Sequence, residues 1–206
     1  WDRVAKHSNL RVSSAFKTDG TLWVWGNSGE GTLAQNDRIP RSSPVQLPGT
    51  WNHVSSGENI MYGTTTSGEL YFWGRGLYGT HGQNVTTTIG YSSPVQIPGT
   101  SWDTVYAGTQ GVMATKTDGT MWAWGTGSAG QLGQNDTIPR SSPVQIPGTN
   151  WALGYNRMAR PFYSTIALKT DGTMWAWGQN DHGNFGNNDT ISRSSPIQVP
   201  GIQWSN

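Results

Sequence analysis

One apolar pattern recurs along the whole chain. In its clearest copy, Asp171-Gly172 is followed by Thr173-Met174-Trp175-Ala176-Trp177, and near copies lie at residues 17–26, 65–74 and 116–125. Successive side chains of a strand point to opposite faces, so both faces of such a strand are apolar. A strand with one solvated face alternates apolar and polar residues instead. The pattern therefore predicts strands covered on both sides, with each hairpin sandwiched between neighbouring sheets.

A turn signal precedes each of these strands. Asp19-Gly20, Asp118-Gly119 and Asp171-Gly172 stand between two β-prone runs, and Ser67-Gly68 takes the same place in the second copy. Asp-Gly in this setting favours a two-residue type I′ turn, in which both central residues have positive φ. The sequence therefore predicts four hairpins closed by such turns.

The hairpin belongs to a unit of roughly fifty residues, a period that is typical of propeller blades. The units open on Trp1, Trp51, Trp102 and Trp151, and each closes on Pro-Gly. We predict one domain over residues 1–206, with blades at 1–50, 51–100, 101–149 and 150–201 and the start of a further unit at 202–206. In the third unit we expect four strands, at about residues 104–107, 112–117, 120–124 and 143–146. Pro143 is expected at the start of an outer edge strand, where a missing amide donor is tolerated.

The chain begins and ends at the same phase of this repeat. Two interpretations are open: a segment of a longer array, or a ring whose terminal strand completes the first blade. We favour the segment, because closed propellers have about four to eight blades and four is the minimum.

Composition limits the function classes. The 206 residues include 28 Gly, 12 Trp and no Cys, with 12% charged residues and a net charge of +1. The scattered basic residues predict no nucleic-acid partner, and no apolar run is long enough for membrane insertion. The absence of Cys excludes disulfides and zinc-thiolate sites. Low charge and loops rich in Gly, Thr and Asn suggest an extracellular, cell-surface or virion setting.

The repeated motif resembles a known family. Asp118-Gly119-Thr120-Met121-Trp122-Ala123-Trp124-Gly125, then Gly-Gln-Leu-Gly at 130–133 and Ser-Ser-Pro-Val-Gln-Ile at 141–146, is similar to the regulator of chromosome condensation repeat. The resemblance implies an all-β fold, a β-propeller of four-stranded antiparallel blades, four of them present and usually about seven in the complete ring. The founding member of the family implies a rival function, guanine-nucleotide exchange on a small GTPase.

No catalytic constellation is visible in the sequence. The four His residues lack the spacing of a zinc site, and no Gly-x-Ser-x-Gly nucleophile motif occurs. We therefore predict no catalytic residue, no metal and no cofactor. A recurrent loop places an Asp four residues before an Arg, at Asp37 and Arg41, Asp136 and Arg140, and Asp189 and Arg193. A carbohydrate or calcium loop is one interpretation, and an ion pair that closes the loop is the favoured one.

The stretches that differ between units are the candidate binding residues. Aromatic residues mixed with Arg are typical of interface hot spots. The predicted partner-binding residues are Tyr155, Arg157, Met158, Arg160, Phe162 and Tyr163 in the fourth unit and Arg75, Tyr78 and His81 in the second. We predict a noncatalytic interaction or assembly module that binds a protein or glycan partner. Such a module can be part of a larger assembly. A lectin that stacks sugars on Trp51, Trp102 and Trp151 is a third hypothesis, although wedges between blades are the favoured role for these residues.

Overall fold

The computed structural model of the chain describes residues 1–4, 11–86, 88–154, 157–159 and 163–204. Within these residues, sixteen strands form four sheets, and each sheet consists of four antiparallel strands that are consecutive in the chain. The predicted all-β class is confirmed, as are the four-stranded antiparallel blades. In the part of the chain that is described, no helix has the length and apolar character needed to cross a bilayer.

The strands have the following bounds, in chain order. Blade 1 contains β1 (Arg3–Val4), β2 (Val12–Phe16), β3 (Leu22–Gly26) and β4 (Arg41–Leu47), and blade 2 contains β5 (Trp51–Ser56), β6 (Ile60–Thr65), β7 (Leu70–Arg75) and β8 (Gly90–Ile97). Blade 3 contains β9 (Trp102–Ala107), β10 (Gly111–Lys116), β11 (Met121–Gly125) and β12 (Arg140–Gln145), and blade 4 contains β13 (Met158–Ala159), β14 (Ser164–Leu168), β15 (Met174–Gly178) and β16 (Arg193–Gln198).

The hairpin turns are not of the predicted type. In blade 3, the Lys116 amide donates to the Thr120 carbonyl and the Gly119 amide donates to the Lys116 carbonyl, both at 2.9 Å. These bonds define a three-residue loop in which Gly119 alone has positive φ, +78°. Asp118 stabilises this loop, because its Oδ1 accepts hydrogen bonds from the Thr120 amide at 2.9 Å and from the Thr120 hydroxyl at 2.7 Å. The prediction of type I′ turns was therefore wrong, since the Asp side chain bonds forward along the chain.

The fourth strand of blade 3 is longer than the sequence suggested. In blade 3, β12 begins at Arg140, so Pro143 lies inside the strand and not at its start. The strand pairs only with β11, which makes it the edge of the sheet. A Pro in such a strand is tolerated because its missing N–H can lie on the unpaired side.

The apolar cores lie between neighbouring blades. One core combines Leu22, Val24 and Leu47 of blade 1 with Trp51, Met61 and Trp73 of blade 2. Equivalent cores join blade 2 to blade 3 and blade 3 to blade 4. The central strands of blades 2 and 3 are therefore covered by neighbouring blades on both sides, as the apolar pattern predicted. Among the described residues, the central strands of blades 1 and 4 have a neighbouring blade on one side only.

The second Trp of each repeated strand fixes one blade to the next. The side chains of Trp73, Trp124 and Trp177 have 0% exposure. Their indole Nε1 atoms donate to the carbonyls of Thr32, Thr80 and Gln131 in the preceding blade, at 2.9, 2.8 and 3.0 Å. This bond satisfies the buried indole N–H, so each Trp contributes both apolar contact and a specific register between blades.

The first Trp of each repeated strand has a different environment. Trp23, Trp122 and Trp175 are half-buried near the turn. A Lys nitrogen lies over each ring, at 3.7, 4.7 and 4.3 Å from the centroid, and each indole N–H donates to a Thr hydroxyl. The Lys nitrogen and the Thr hydroxyl therefore contact the part of the first Trp that is not buried in the core.

Candidate functional site

The variable connections of every blade emerge on the same side of the molecule. The connection between the first and second strands lies beside the connection between the third and fourth, because the Asn27 amide donates to the Arg11 carbonyl at 2.8 Å and the Thr126 amide to the Gln110 carbonyl at 2.8 Å. We call this side the loop face; its described residues are 11, 27–40, 57–59, 76–86, 88–89, 108–110, 126–139, 163 and 179–192. The hairpin turns lie at the opposite ends of the strands.

Asp–Arg pairs stiffen three of the long connections on the loop face. In blade 3, Asp136 Oδ2 lies 2.6 Å from Arg140 Nη2, and its Oδ1 accepts the Ile138 amide at 2.9 Å. Arg140 Nη1 donates to the Ile138 carbonyl at 3.0 Å. The backbone amide of Ile138, with Arg140 beside it, lowers the pKa of Asp136.

The same contacts recur in the other two connections, where Asp37 lies 2.6 Å from Arg41 and Asp189 lies 2.9 Å from Arg193. The favoured ion-pair interpretation is confirmed, since both carboxylate oxygens already accept N–H donors.

Each pair encloses the backbone of an Ile and leaves its side chain in solvent. Ile39, Ile138 and Ile191 are 59, 57 and 61% exposed, and Ile89 is 52% exposed at the corresponding place in blade 2. Sequence analysis missed these residues as candidates. The available signal was an Ile that recurs in an otherwise polar loop, once per unit.

A cleft of about 340 Å³ opens on the loop face between blades 1 and 2. Its polar lining includes Arg11, Asn27, Glu30 and Asn59. Arg75, a predicted binding residue, reaches the edge of this cleft, because its Nη1 lies 3.5 Å from Glu30 Oε1. Both side chains are partly exposed to solvent, so this long ion pair contributes little to stability. Both charged groups also remain accessible.

The other predicted binding residues have mixed positions. Tyr78 is 54% and Tyr163 is 39% exposed, while Arg157 and Met158 are half-buried. Met158 packs against the core between blades 3 and 4. Tyr155, Arg160 and Phe162 lie outside the described residues. The two predicted clusters belong to blades 2 and 4, so blade 3 stands between them.

His81 is not a surface residue. Its side chain is 1% exposed and occupies the core position that Leu33, Leu132 and Phe185 fill in the other blades. Its Nε2 accepts the Gly76 amide at 2.9 Å, and its ring lies 4.9 Å from that of Phe72. Burial lowers the pKa of His81, which keeps the ring neutral. The predicted partner contact is therefore wrong for His81, because an imidazole that bonds a backbone amide here replaces an apolar core side chain.

The Trp residues of the lectin hypothesis are also enclosed. Trp51, Trp102 and Trp151 are 5, 2 and 1% exposed and pack in the cores between blades. Sugar stacking needs an open indole face, so these residues are wedges between blades, in agreement with the favoured interpretation. Among the described residues, no group of three or more His, Asp or Glu side chains is arranged to hold a metal ion.

His53 gives a prediction for the pH dependence of stability. Burial, together with the nearby Arg3 charge, lowers the pKa of His53 to about 4 from its usual 6.5. The unfolded chain binds this proton at higher pH than the folded chain does, so stability falls as the pH drops from about 6.5 towards 4. The whole shift corresponds to about 3 kcal/mol. We expect urea denaturation to show much of this loss between pH 7 and pH 5, above the range in which the carboxylates titrate.

The matched variant is His53→Thr, which copies Thr104 of blade 3. It should remove the His53 share of the pH dependence in this window and leave that of His81, whose pKa is also lowered by burial, while the protein stays folded at pH 7. An identical slope in the variant and the unsubstituted protein would show that His53 is not responsible.

Four-stranded antiparallel sheets joined through Trp-lined cores define the chain as a β-propeller protein. The regulator of chromosome condensation (RCC1) repeat matches it over residues 118–152 and 171–204. The chain therefore carries this repeat in blades 3 and 4.

Similar proteins support the same conclusion. The human E3 ubiquitin-protein ligase HERC2 is 28% identical over 210 residues, covering 98% of this chain and 4% of the ligase. The mitochondrial RCC1 domain-containing protein RUG3 of Arabidopsis thaliana is 25% identical over 201 residues, covering 92% of this chain and 45% of RUG3.

Solved structures show the same fold. Human WBSCR16 superposes with a TM-score of 0.79 at 19% identity, covering 97% of this chain and 53% of that one. Yeast RCC1 (Prp20), in its structure with Kap60, gives a TM-score of 0.77 at 16% identity, covering 97% and 48%. The chain therefore spans about half of these solved propellers.

Proposed function

We propose that the chain is a noncatalytic module that binds a folded protein partner through the loop face. The observation that carries this proposal is the set of exposed apolar side chains held on stiff loops. Ile39, Ile138 and Ile191 project from connections closed by Asp–Arg pairs. A loop that is already ordered loses little entropy on binding, so the apolar side chains held on these loops are suited to contact a partner.

Aromatic residues add to this surface. Tyr78 and Tyr163 are exposed, and Tyr side chains are enriched among interface hot spots. The cleft beside Glu30 and Arg75 supplies charged groups of both signs at its edge. This combination of apolar contacts with mixed charge fits a protein surface better than a polyanion.

One structural neighbour, yeast RCC1 (Prp20), is described by two structures and binds proteins, which agrees with a protein partner. One structure shows yeast RCC1 bound to Kap60, and another concerns the binding of Prp20p to Gsp1p and histones. Those partners belong to that protein, which shares only 15 to 16% identity with this chain. They are suitable first candidates for binding measurements.

Site-specific photo-crosslinking tests the proposal even while the partner is unidentified. A photoreactive phenylalanine analogue is introduced at Tyr78 or at Tyr163, where it replaces one aromatic ring by another. The matched control is the analogue at Ile202, which is 70% exposed and lies after β16, at the turn end of blade 4. We expect one discrete partner adduct from the two Tyr positions and none from position 202. Equal adducts from all three positions, or an adduct from position 202 alone, would contradict the loop face as the binding surface.

Nucleotide exchange on a small GTPase is the rival function. Its test is the release of fluorescent GDP from candidate small GTPases with and without an excess of the chain. Acceleration of release would replace the noncatalytic proposal, whereas saturable binding without acceleration would support it. The extracellular, cell-surface or virion setting stays a prediction from composition.

A further inference from the structure

A groove between blades 3 and 4 contains a buried hydrogen-bond donor that lacks an acceptor. The groove has a volume of about 500 Å³, and among the residues that line it are Pro147, Gly148, Trp151, Lys169, Trp175 and Pro196. Trp151 is 1% exposed, and its indole Nε1 has no hydrogen-bond partner within the described part of the chain. A buried N–H without an acceptor is costly, so a group of this kind calls for an explanation.

The length of the preceding connection explains why this donor is unpaired. Between blades 1 and 2, Trp51 follows Pro48 by three positions, and its Nε1 donates to the Pro48 carbonyl at 3.1 Å. Trp151 follows Pro147 by four positions, and the extra residue is Asn150, with φ +62°. The longer connection therefore places the indole N–H out of reach of the Pro carbonyl.

Trp102 repeats this arrangement between blades 2 and 3. It follows Pro98 by four positions, and the extra residue is Ser101, with φ +64°. Trp102 is 2% exposed, and its Nε1 likewise has no hydrogen-bond partner among the residues that the structure describes. The unpaired donor thus occurs at both interfaces where the connection is one residue longer.

A Lys ammonium accompanies each unpaired indole. Trp102 is paired across the sheet with Lys116, and Trp151 is paired with Lys169. The Lys Nζ atoms lie 4.7 and 5.0 Å from the centroids of these two Trp rings. In blade 2, where the indole already has its acceptor, Thr65 occupies the position of the Lys. We call the first pair the blade 3 site and the second pair the blade 4 site.

The two donors of a site converge beside a Gly. A Cβ built on Gly99 would lie 3.4 Å from Nε1 of Trp102 and 3.5 Å from Nζ of Lys116. In the blade 4 site, a Cβ on Gly148 would lie 3.5 Å from Nζ of Lys169. A side chain at either position would fill the space between the donors, and Gly leaves this space open.

The Lys charges have no close counter-ion. Every ion pair among the described residues is formed by an Arg, so neither Lys116 nor Lys169 has a described carboxylate within 4.0 Å. Hydrogen bonds from the following Thr lower the pKa of Asp118 and Asp171 more than these Lys charges do. Each ammonium therefore remains able to pair with an anion from outside the chain.

Apolar groups adjoin both sites. Nζ of Lys116 also lies 4.7 Å from the centroid of the half-buried Trp122 ring, and Nζ of Lys169 lies 4.3 Å from that of Trp175. Pro196 adds a further apolar group to the wall of the groove in blade 4. Apolar walls around a few convergent polar groups are typical of sites for organic ligands, so the expected anion carries a carbon chain.

We propose that the blade 3 site and the blade 4 site each bind a carboxylate of a peptide. One carboxylate oxygen accepts the indole N–H, and the other pairs with the Lys ammonium, which gives two strong contacts. A peptide can supply this group from its C-terminus or from an Asp or Glu side chain. Both Lys residues lie at the hairpin turns, so the sites do not include the exposed Ile side chains of the loop face. The two proposals can therefore fail independently.

Nuclear magnetic resonance of the indole N–H groups, in protein labelled with nitrogen-15 on Trp, tests the proposal. Three peptides serve as probes: acetyl-Ala-Leu has a C-terminal carboxylate, acetyl-Ala-Glu-amide has only a side-chain carboxylate, and acetyl-Ala-Leu-amide has neither. We expect at least one carboxylate peptide to move the signals of Trp102 and Trp151 downfield until they saturate. The signal of Trp51, which already donates to Pro48, is the internal control and should not move.

Two variants show which groups form the site. Lys169→Met keeps the length of the side chain and removes its charge, so the affinity reported by Trp151 should fall by at least about tenfold. The affinity reported by Trp102 should not change. Thr65→Lys is the matched control, because it adds an ammonium beside Trp51, whose indole is already paired. The Trp51 signal should stay unresponsive in this variant.

The peptide that moves the signals identifies the source of the carboxylate. No response to either carboxylate peptide would overturn the proposal, as would an equal response to acetyl-Ala-Leu-amide. Unchanged affinity in Lys169→Met would also contradict it. A Trp51 response in Thr65→Lys equal to that of Trp102 would mean that Lys alone attracts the peptide and that the unpaired indole is not part of the site.

Discussion

Replacing Trp73 by Ala is expected to lower the free energy of unfolding by about 4 to 6 kcal/mol. The side chain is completely buried in the core between blades 1 and 2, where it contacts Trp51 with ring centroids 5.4 Å apart. Truncation leaves a large cavity and also leaves the Thr32 carbonyl without the indole donor at 2.9 Å. Urea denaturation followed by fluorescence gives the change in free energy.

Trp25 provides the matched control, because it occupies the same strand position in blade 1 without a preceding blade beside it. Its side chain is half-buried, so Trp25→Ala should cost about 1 to 2 kcal/mol. Equal losses in the two variants would mean that burial against the preceding blade is not the source of the Trp73 effect.

Gly125→Ala should be nearly as damaging, at about 3 to 5 kcal/mol. Gly125 ends β11 with φ +102°, and a Cβ there would lie 2.6 Å from both the Gln110 carbonyl oxygen and the Gly111 Cα. Both atoms belong to the backbone at the start of β10 and at the residue just before it, so relief requires that β10 and β11 separate at this end. The lost free energy is again measured by urea denaturation.

Gly183→Ala controls for backbone conformation alone. Gly183 also has positive φ, +72°, but a Cβ added to it would meet nothing within 4 Å in the monomer. The expected loss is about 1 kcal/mol, the ordinary penalty of an L-residue in the left-handed region. If Gly125→Ala cost no more than this control, the close approach to Gln110 would not be what requires Gly.

The local sequence predicted much of the fold. Paired apolar positions in residues 173–177 and their copies predicted strands covered on both faces, and the fifty-residue period predicted blades. The turn type was missed, because Asp118 bonds to Thr120 and draws the loop to three residues. The bounds of β12 were missed because Pro143 was taken as the start of the strand, although the edge position that the sequence predicted also tolerates a Pro inside the strand.

The candidate site was predicted less completely. Arg75 and Tyr78 were found from composition and are accessible. His81 was assigned to the surface because a polar residue type usually indicates exposure, yet it fills a core position that Leu occupies elsewhere. Ile138 was assigned no role, although the Asp136 and Arg140 pair holds it in solvent.

The sequence by itself determined the repeat, the number of strands in each blade and the residues that form the cores, because alternation along a strand and spacing between copies are local properties. Tertiary structure decided which copies of a repeated residue are buried. Trp25 and Trp73 stand in the same motif, but only Trp73 has a preceding blade to cover it. Burial depends on neighbours that are distant in the chain, and the local motif alone therefore does not determine it.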